Sequence, residues 1–224
     1  MPHSFAYRRR FALIVFDWDG TLMDSAAAIV AAVQAASRDV GLAVPSDLQT
    51  RHIIGLGLAD AMAYLFPQLD PAGYWEIADR YRHHFLDGIE KVSLFEGARE
   101  MLAELSANGF LLGVATGKTR RGLERDLDAT GLKPLFQATR CADESYSKPH
   151  PAMLLEIVDE LGVSAAATLM VGDTTHDLEM ARNAKIAGVA VSYGAHPRDN
   201  LLCRQPLACV DSIGGLRTWI AANA

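Results

Sequence analysis

Apolar residues in this chain fall into short unbroken runs, and most of these runs alternate with segments of helical periodicity. Residues 11–16 are apolar throughout and run straight into Asp17-Trp18-Asp19-Gly20-Thr21. Such a run, closed by a turn-forming glycine, predicts a strand buried on both faces. Residues 110–115, 168–171 and 188–191 repeat the pattern, and 137–139 and 208–210 are weaker versions of it. Between them lie amphipathic stretches with helix stops. Residues 100–105 lead to Asn108-Gly109, 119–130 end at Gly131, and 151–161 open on Pro151 and stop at Gly162. Alternation of strand and helix predicts an α/β fold with a doubly wound parallel sheet.

One stretch breaks the alternation. Residues 25–95 contain no convincing strand, and they are too many for a loop. Ile29, Val33, Ala36 and Val40 form a stripe at spacings of three and four, stopped by Gly41. Further helices are expected over 58–66, stopped by Pro67, and over 71–86. This is a helical insert between the first two core strands. The expected division is a core of residues 1–24 and 96–224 and an all-α cap of residues 25–95.

The first strand's end carries the most chemistry. In an open parallel sheet the carboxyl ends of the strands face the ligand. Alternation along an extended segment points Asp17 and Asp19 to one side and Trp18 away. Two carboxylates there are costly unless something pairs with them; a divalent cation and a phosphoryl group would. The second strand runs into Thr116-Gly117-Lys118, where a hydroxyl and a glycine N–H can cradle a phosphate oxygen. Lys148-Pro149 precedes a helix, and proline holds Lys148 extended so that its side chain can project over the sheet edge. Gly172-Asp173-Thr174-Thr175-His176-Asp177 puts two more carboxylates at another strand end. Taken singly, Thr-Gly is ordinarily a helix cap, Lys-Pro a surface turn, and Asp177 a first-turn acid that stabilises its helix. Their order and shared position are what make them specific.

As a set, these residues resemble the haloacid dehalogenase superfamily of aspartate-nucleophile hydrolases over nearly the whole chain. Asp17-Trp18-Asp19-Gly20-Thr21 matches the family's first motif, Thr116 its second, Lys148 its third, and Gly172-Asp173 with Asp177 its fourth. Thr21 to Ser25, Ile54-Gly55-Leu56-Gly57 and Ser147 to Pro151 point to the phosphoglycolate-phosphatase-like branch. The resemblance implies a Rossmann-like core, supplies the strand order that pattern alone leaves open, and makes the insert the family's small helical cap. It also implies a Mg²⁺-dependent phosphatase for a small phosphorylated metabolite, with 2-phosphoglycolate as the preferred candidate. In that reading Asp17 is the nucleophile, Asp19 the acid/base, and Lys148 a catalytic cation. Trp18, Thr116, Gly117 and Lys148 surround the phosphate. The metal is held by Asp17, Asp19 through its carbonyl, and Asp173, with Asp177 in support.

Three alternatives use the same scaffold. A phosphomutase would share Asp17, Asp19 and the metal. A dehalogenase needs no proton for its leaving group and so no Asp19. A phosphate-responsive regulator without enzymatic activity would be expected to have lost one of Asp17, Asp19, Lys148 or Asp173. In the cap, Arg51 could grip a substrate carboxylate bidentately or be a plain surface residue. His176 is expected to face solvent, and His83-His84 to lie on the cap surface.

Composition narrows the setting. The 224 residues are half hydrophobic, enough for one large core with an insert, and carry a formal charge of −6. That balance argues against nucleic acid or an anionic membrane as the main partner. No apolar run approaches a membrane span. Cys141, Cys203 and Cys209 fit no metal spacing and suit a reducing cytoplasm. Arg8-Arg9-Arg10 reads as a solvated lead-in and not as part of a signal peptide. A monomer or homodimer is expected.

Overall fold

The computed structural model describes residues 10–88 and 92–224, so Arg8 and Arg9 lie outside the described residues. Six parallel strands form one sheet in the order β3-β2-β1-β4-β5-β6. They are β1 (Leu13–Phe16), β2 (Leu111–Thr116), β3 (Ala138–Cys141), β4 (Thr168–Gly172), β5 (Ala187–Val191) and β6 (Cys209–Val210). All four side chains of β1 are fully buried, as an unbroken apolar run in a central strand requires. Leu13 pairs with Leu111 on one side and Thr168 on the other, so β1 is flanked by β2 and β4. The ladder begins at Leu13, two residues into the expected run; Phe11 is instead buried in the core ahead of it.

Helices cover both faces. α5 (Ala98–Ala107), α6 (Arg120–Thr130) and α10 (Ile213–Asn223) bury Met101, Leu102, Leu123, Leu127, Leu216 and Ile220 with Ile14 and Phe16. α7 (Ala152–Leu161) and α8 (Thr175–Asn183) bury Met153, Leu154, Ile157 and Met180 with Leu13 and Val15 on the other face. Alternate residues of β1 thus feed opposite cores. A short helix, α9 (Arg198–Leu202), precedes β6.

The insert between β1 and β2 contains four helices where three were expected: α1 (Ala26–Asp39), α2 (Asp47–His52), α3 (Leu58–Leu65) and α4 (Pro71–Asp87). Ile29, Val33 and Ala36 of α1 meet Ile77, Ala78 and Phe85 of α4, with Met62 and Phe66 closing the cluster. The additional helix, α2, spans only six residues and is held by a capping box. Ser46 Oγ accepts from Gln49 N, and Gln49 Oε1 accepts from Ser46 N at 2.9 Å.

The order of the strands reverses between β1 and β4. That is the topological switch point of a doubly wound sheet, where a crevice opens at the strand ends. Asp17 directly follows β1 and Asp173 directly follows β4.

Candidate active site

Asp17, Asp173 and Asp177 each offer an oxygen, and these oxygens lie within 4.8 Å of one another. All three side chains are fully buried. Lys148 reaches in from the loop before α7. Its Nζ lies 2.7 Å from Asp17 Oδ1 and 2.7 Å from Asp177 Oδ1. Three carboxylates against one ammonium leave an excess of two negative charges, if all are ionised. Without a further cation burial pushes the Asp17 carboxyl well up, with Lys148 opposing and Asp177 and Asp173 adding to the shift. Burial and then Asp177 likewise push Asp173 up to about 7. Burial alone would lower the Lys148 pKa, but Asp17 and Asp177 outweigh it and hold the ammonium charged.

The surrounding hydrogen bonds show which oxygens are spoken for. Asp177 Oδ2 accepts from Thr174 N and Oγ1 at 3.0 and 2.7 Å, capping α8. Its other oxygen takes the Lys148 ammonium. Asp173 accepts from Thr21 Oγ1 at 2.7 Å and from Ala195 N at 2.7 Å. Asp17 differs: among the described residues neither of its oxygens receives a well-directed hydrogen bond, despite the close ammonium. A buried carboxylate with free lone pairs, beside two others, is the donor set of a hard divalent cation. The site therefore fits the metal that the sequence resemblance implies.

The loop after β1 is shaped to make this possible. Gly20 has a φ of +83°, and a Cβ there would overlap the Asp173 carboxylate. Glycine thus supplies both the left-handed turn and the close approach. Trp18 turns inward, away from the site. Its ring is fully buried in the core and its Nε1 donates to Asp126 at 3.2 Å, so its side chain belongs to the core and not to the phosphate site.

A cavity of about 840 Å³ lies between cap and core. Asp17, Asp19, Thr116, Gly117 and Lys118 line its core side. Lys148, Asp173 and Asp177 are not on the lining and stand behind Asp17. Asp19 accepts from Ser25 Oγ at 2.7 Å and pairs through both oxygens with Lys118 Nζ at 3.2 Å. Lys118 also pairs with the buried Asp126 at 2.9 Å, and these two carboxylates raise its pKa although burial opposes them. Lys118 and Asp126 are the residues that motif matching overlooks. Asp126 sits 108 positions from Trp18, to which it is joined, and nothing local marks it.

The cap touches the core at a narrow seam. A Cβ on Gly117 would overlap the carbonyl oxygens of Gly55 and Leu56, so only glycine lets the cap loop come down this close to the end of β2. Gly57 N donates to Ser147 Oγ at 2.8 Å, next to Lys148. The carbonyl of His52 accepts from two core imidazoles, His176 Nε2 at 2.7 Å and His196 Nε2 at 3.2 Å. His176 is therefore buried at the seam and does not face solvent. Arg51 is partly buried and off the cavity lining; the following residues, Ile53 to Leu56, form the wall in its place. His83 is exposed on the cap but also lines the cavity, and His84 joins Asp39 of α1 at 2.7 Å.

Fold and comparisons together define a hydrolase of α/β fold with a helical insert over a buried acidic cluster. The chain belongs to the haloacid dehalogenase-like hydrolases, whose model matches residues 14–191. Among curated proteins it is 36% identical to a probable phosphatase IndB of Dickeya dadantii, with 89% of each chain covered. It is 34% identical to an N-acetylmuramic acid 6-phosphate phosphatase of Pseudomonas putida, covering 85% of this chain and 87% of the other. A phosphoglycolate phosphatase of Rhodospirillum rubrum is 29% identical over 92% of this chain and 90% of its own. A solved hydrolase from Pseudomonas syringae shares the fold with a TM-score of 0.88 at 22% identity, covering 95% of this chain and 99% of that one. The chain is a phosphoric monoester hydrolase of this family.

Proposed function

We propose that the protein is a Mg²⁺-dependent phosphatase that hydrolyses a small phosphorylated metabolite through an aspartyl-phosphate on Asp17. The observation that carries this reading is the buried Asp17 carboxylate, on the cavity lining and, among the described residues, without a well-directed hydrogen bond, with Lys148, Asp173 and Asp177 behind it. Asp17, Asp173 and the Asp19 carbonyl would hold Mg²⁺, supported by Asp177, and the ion would offset the charge shared by nucleophile and phosphoryl group.

The protein's own groups perform the steps. An Asp17 oxygen attacks phosphorus while the ester P–O bond breaks, and the leaving oxygen takes a proton from Asp19. Asp19 then accepts a proton from water as that water attacks phosphorus, releasing inorganic phosphate and restoring Asp17. Thr116 lies on the lining, and its hydroxyl would hold a phosphoryl oxygen. Lys148 keeps Asp17 compatible with an incoming anion by balancing its charge. The cap excludes water from the cavity during phosphoryl transfer.

Among substrates, 2-phosphoglycolate is the candidate from sequence resemblance. The names of curated relatives support three chemistries at similar identity: N-acetylmuramic acid 6-phosphate, phosphoglycolate and a 5'-nucleotide. The three cysteines are free thiols, in keeping with a cytoplasmic location, and among the described residues no helix is long and apolar enough to cross a membrane.

The test is phosphate release from a panel of esters with Mg²⁺ and with EDTA, for wild type and Asp17→Asn. The panel holds 2-phosphoglycolate, sugar phosphates, nucleotides and p-nitrophenyl phosphate. EDTA should stop turnover, and Asp17→Asn should lower it by about 10⁴-fold or more. Acid quenching should trap phosphate on the wild type alone. A variant that keeps near-normal rates would falsify the covalent mechanism.

A further inference from the structure

The cavity is larger and more two-sided than a minimal phosphate ester requires. Its volume of about 840 Å³ is in the range that encloses molecules of sugar or nucleoside size and above. Beyond the phosphate end, one wall is apolar: Ile29 and Val33 of α1, Met62 of α3 and Phe85 of α4. These residues belong to the cap's own hydrophobic cluster, so the cavity wall is the inner side of a packed core and is rigid in the same measure. A fully hydroxylated ligand gains nothing from such a wall.

The rim is different again. Arg80 and Arg82 of α4 and Arg121 and Arg125 of α6 all line the cavity, against a single rim acid, Asp79. Arg125 is tied to Asp126 by contacts of 2.6 and 3.0 Å. For Arg80, Arg82 and Arg121, no hydrogen bond or ion pair is found among the described residues. Arg121 sits in the first turn of α6, which Thr119 caps, so the positive end of an eleven-residue helix adds to its field. In a chain with a net charge of −6, a rim carrying four arginines and one acid is a local inversion of charge. The phosphoryl group does not account for it, since Asp17, Thr116 and Lys148 already serve the phosphate end.

We propose that the substrate is a phosphate monoester of sugar or nucleoside size with an apolar substituent and a second anionic group, and that Arg82 and Arg121 bind that second anion. This rests on the phosphatase reading and deepens it. The apolar substituent lies on the Ile29, Val33 and Phe85 wall, and the second anion reaches the rim. Guanidinium groups suit a carboxylate or phosphate there because they can grip it bidentately.

A matched pair of esters, read together with a variant of the arginines, isolates the second anion. N-acetylmuramic acid 6-phosphate and N-acetylglucosamine 6-phosphate share ring, acetamide and phosphate, and differ in the lactyl ether on O3, which carries a carboxylate and a methyl. Steady-state kcat/KM with Mg²⁺ is measured for both, for 2-phosphoglycolate and for p-nitrophenyl phosphate. The comparison is between wild type and the double variant Arg82→Gln/Arg121→Gln. Wild type should prefer the carboxylated sugar by about tenfold or more, the scale of one hydrogen bond to a charged group. The double variant should bring that ratio close to one, chiefly through KM. Raising ionic strength should shrink the wild-type ratio, because the rim is solvent-accessible. 2-Phosphoglycolate, which has the second anion but no apolar body, should fall below the carboxylated sugar. Equal kcat/KM for the matched pair, with p-nitrophenyl phosphate turned over, overturns the second anion and leaves the phosphatase standing. A preference that survives in the double variant overturns the arginine assignment. A higher kcat/KM for 2-phosphoglycolate overturns the apolar body. No Mg²⁺-dependent release from any of the four overturns the phosphatase reading itself and this inference with it.

Discussion

The two sides of the cavity are built by different means. On the core side, Asp17 and Asp173 each directly follow a strand, and Asp177 and Lys148 are fixed between them by contacts of 2.7 to 3.0 Å. Their positions are set by the backbone of a parallel sheet, and their side chains are all but inaccessible. On the cap side, the wall is a set of helix side chains held by their own apolar cluster, and it meets the core through a few polar contacts. On the proposed function, the chemistry common to any substrate sits at the strand ends. The groups proposed to tell substrates apart, Arg82 on α4 and Arg121 on α6, sit on helices that can be changed without disturbing the sheet.

Lys148→Met should separate the two sides most strongly. It removes the Lys148 ammonium from a buried group of three carboxylates. Breaking a buried ion pair on one side costs about 3–5 kcal/mol, because the remaining charge is left uncompensated. Urea unfolding at pH 8 in EDTA should show that loss, together with the collapse of turnover when Mg²⁺ is restored. Arg82→Gln on the rim should shift stability by no more than about 0.5 kcal/mol, as surface substitutions usually do. Similar losses for both variants would erase the distinction.

The same contrast decides what could be read in the sequence. Asp17, Asp19, Thr116, Lys148 and Asp173 each follow an apolar run or precede a helix start, and the direction of a parallel sheet brings such positions together. A short motif is enough to find them. The cap's helical character was legible from the stripe Ile29, Val33, Ala36 and Val40, but α2 was not, because six residues give no period to count. The Ser46–Gln49 capping box was the signal available there. The seam was not legible at all. His52 contributes a carbonyl, which carries no residue identity, and it gathers His176 and His196 from segments 124 and 144 positions away. Arg51 was open to two readings, a substrate contact or a plain surface residue; it ends a short helix and stays off the lining while Ile53 to Leu56 go in. Lys118 was read only as part of a phosphate-cradling turn; its pairing with Asp126 needs α6 folded against the strand end.

Gly117→Ala tests the seam itself. The residue has no positive φ, so alanine is conformationally acceptable in the core. The added carbon would meet the carbonyls of Gly55 and Leu56, and the cap loop would have to lift. Displacing a substrate-positioning segment by about an ångström can cost about 10²-fold in rate. The expected result is a loss of that order in kcat/KM with a melting temperature within a few degrees of wild type. An unchanged rate would mean that the cap loop need not approach so closely during turnover.

The smallest effect, and the one most specific to the seam, concerns His196. Its Nδ1 accepts from Thr175 N at 3.0 Å, so the ring proton must sit on Nε2, which donates to the His52 carbonyl. A second proton would have to enter at Nδ1, facing another N–H in a buried site. The imidazoles of His176 and His52 pack on two sides of the ring. Burial first, and then His176, accordingly lower the His196 pKa to about 4, from an unperturbed value near 6.5. Between those values the unfolded chain holds the extra proton and the folded chain does not. Stability from this group is therefore full above about pH 6.5 and is lost as pH falls toward 4. From pH 7.5 to pH 5 the loss should be about 2 kcal/mol. Glutamine at this position has an oxygen for Thr175 N–H and an N–H for the His52 carbonyl, but it does not titrate. The unfolding free energy of His196→Gln should therefore stay close to wild type at pH 7.5 and exceed it by about 2 kcal/mol at pH 5. Parallel pH profiles for the two proteins would show that this imidazole is not held neutral by the seam, and that the cap is fastened to the core by something other than the paired imidazole donors.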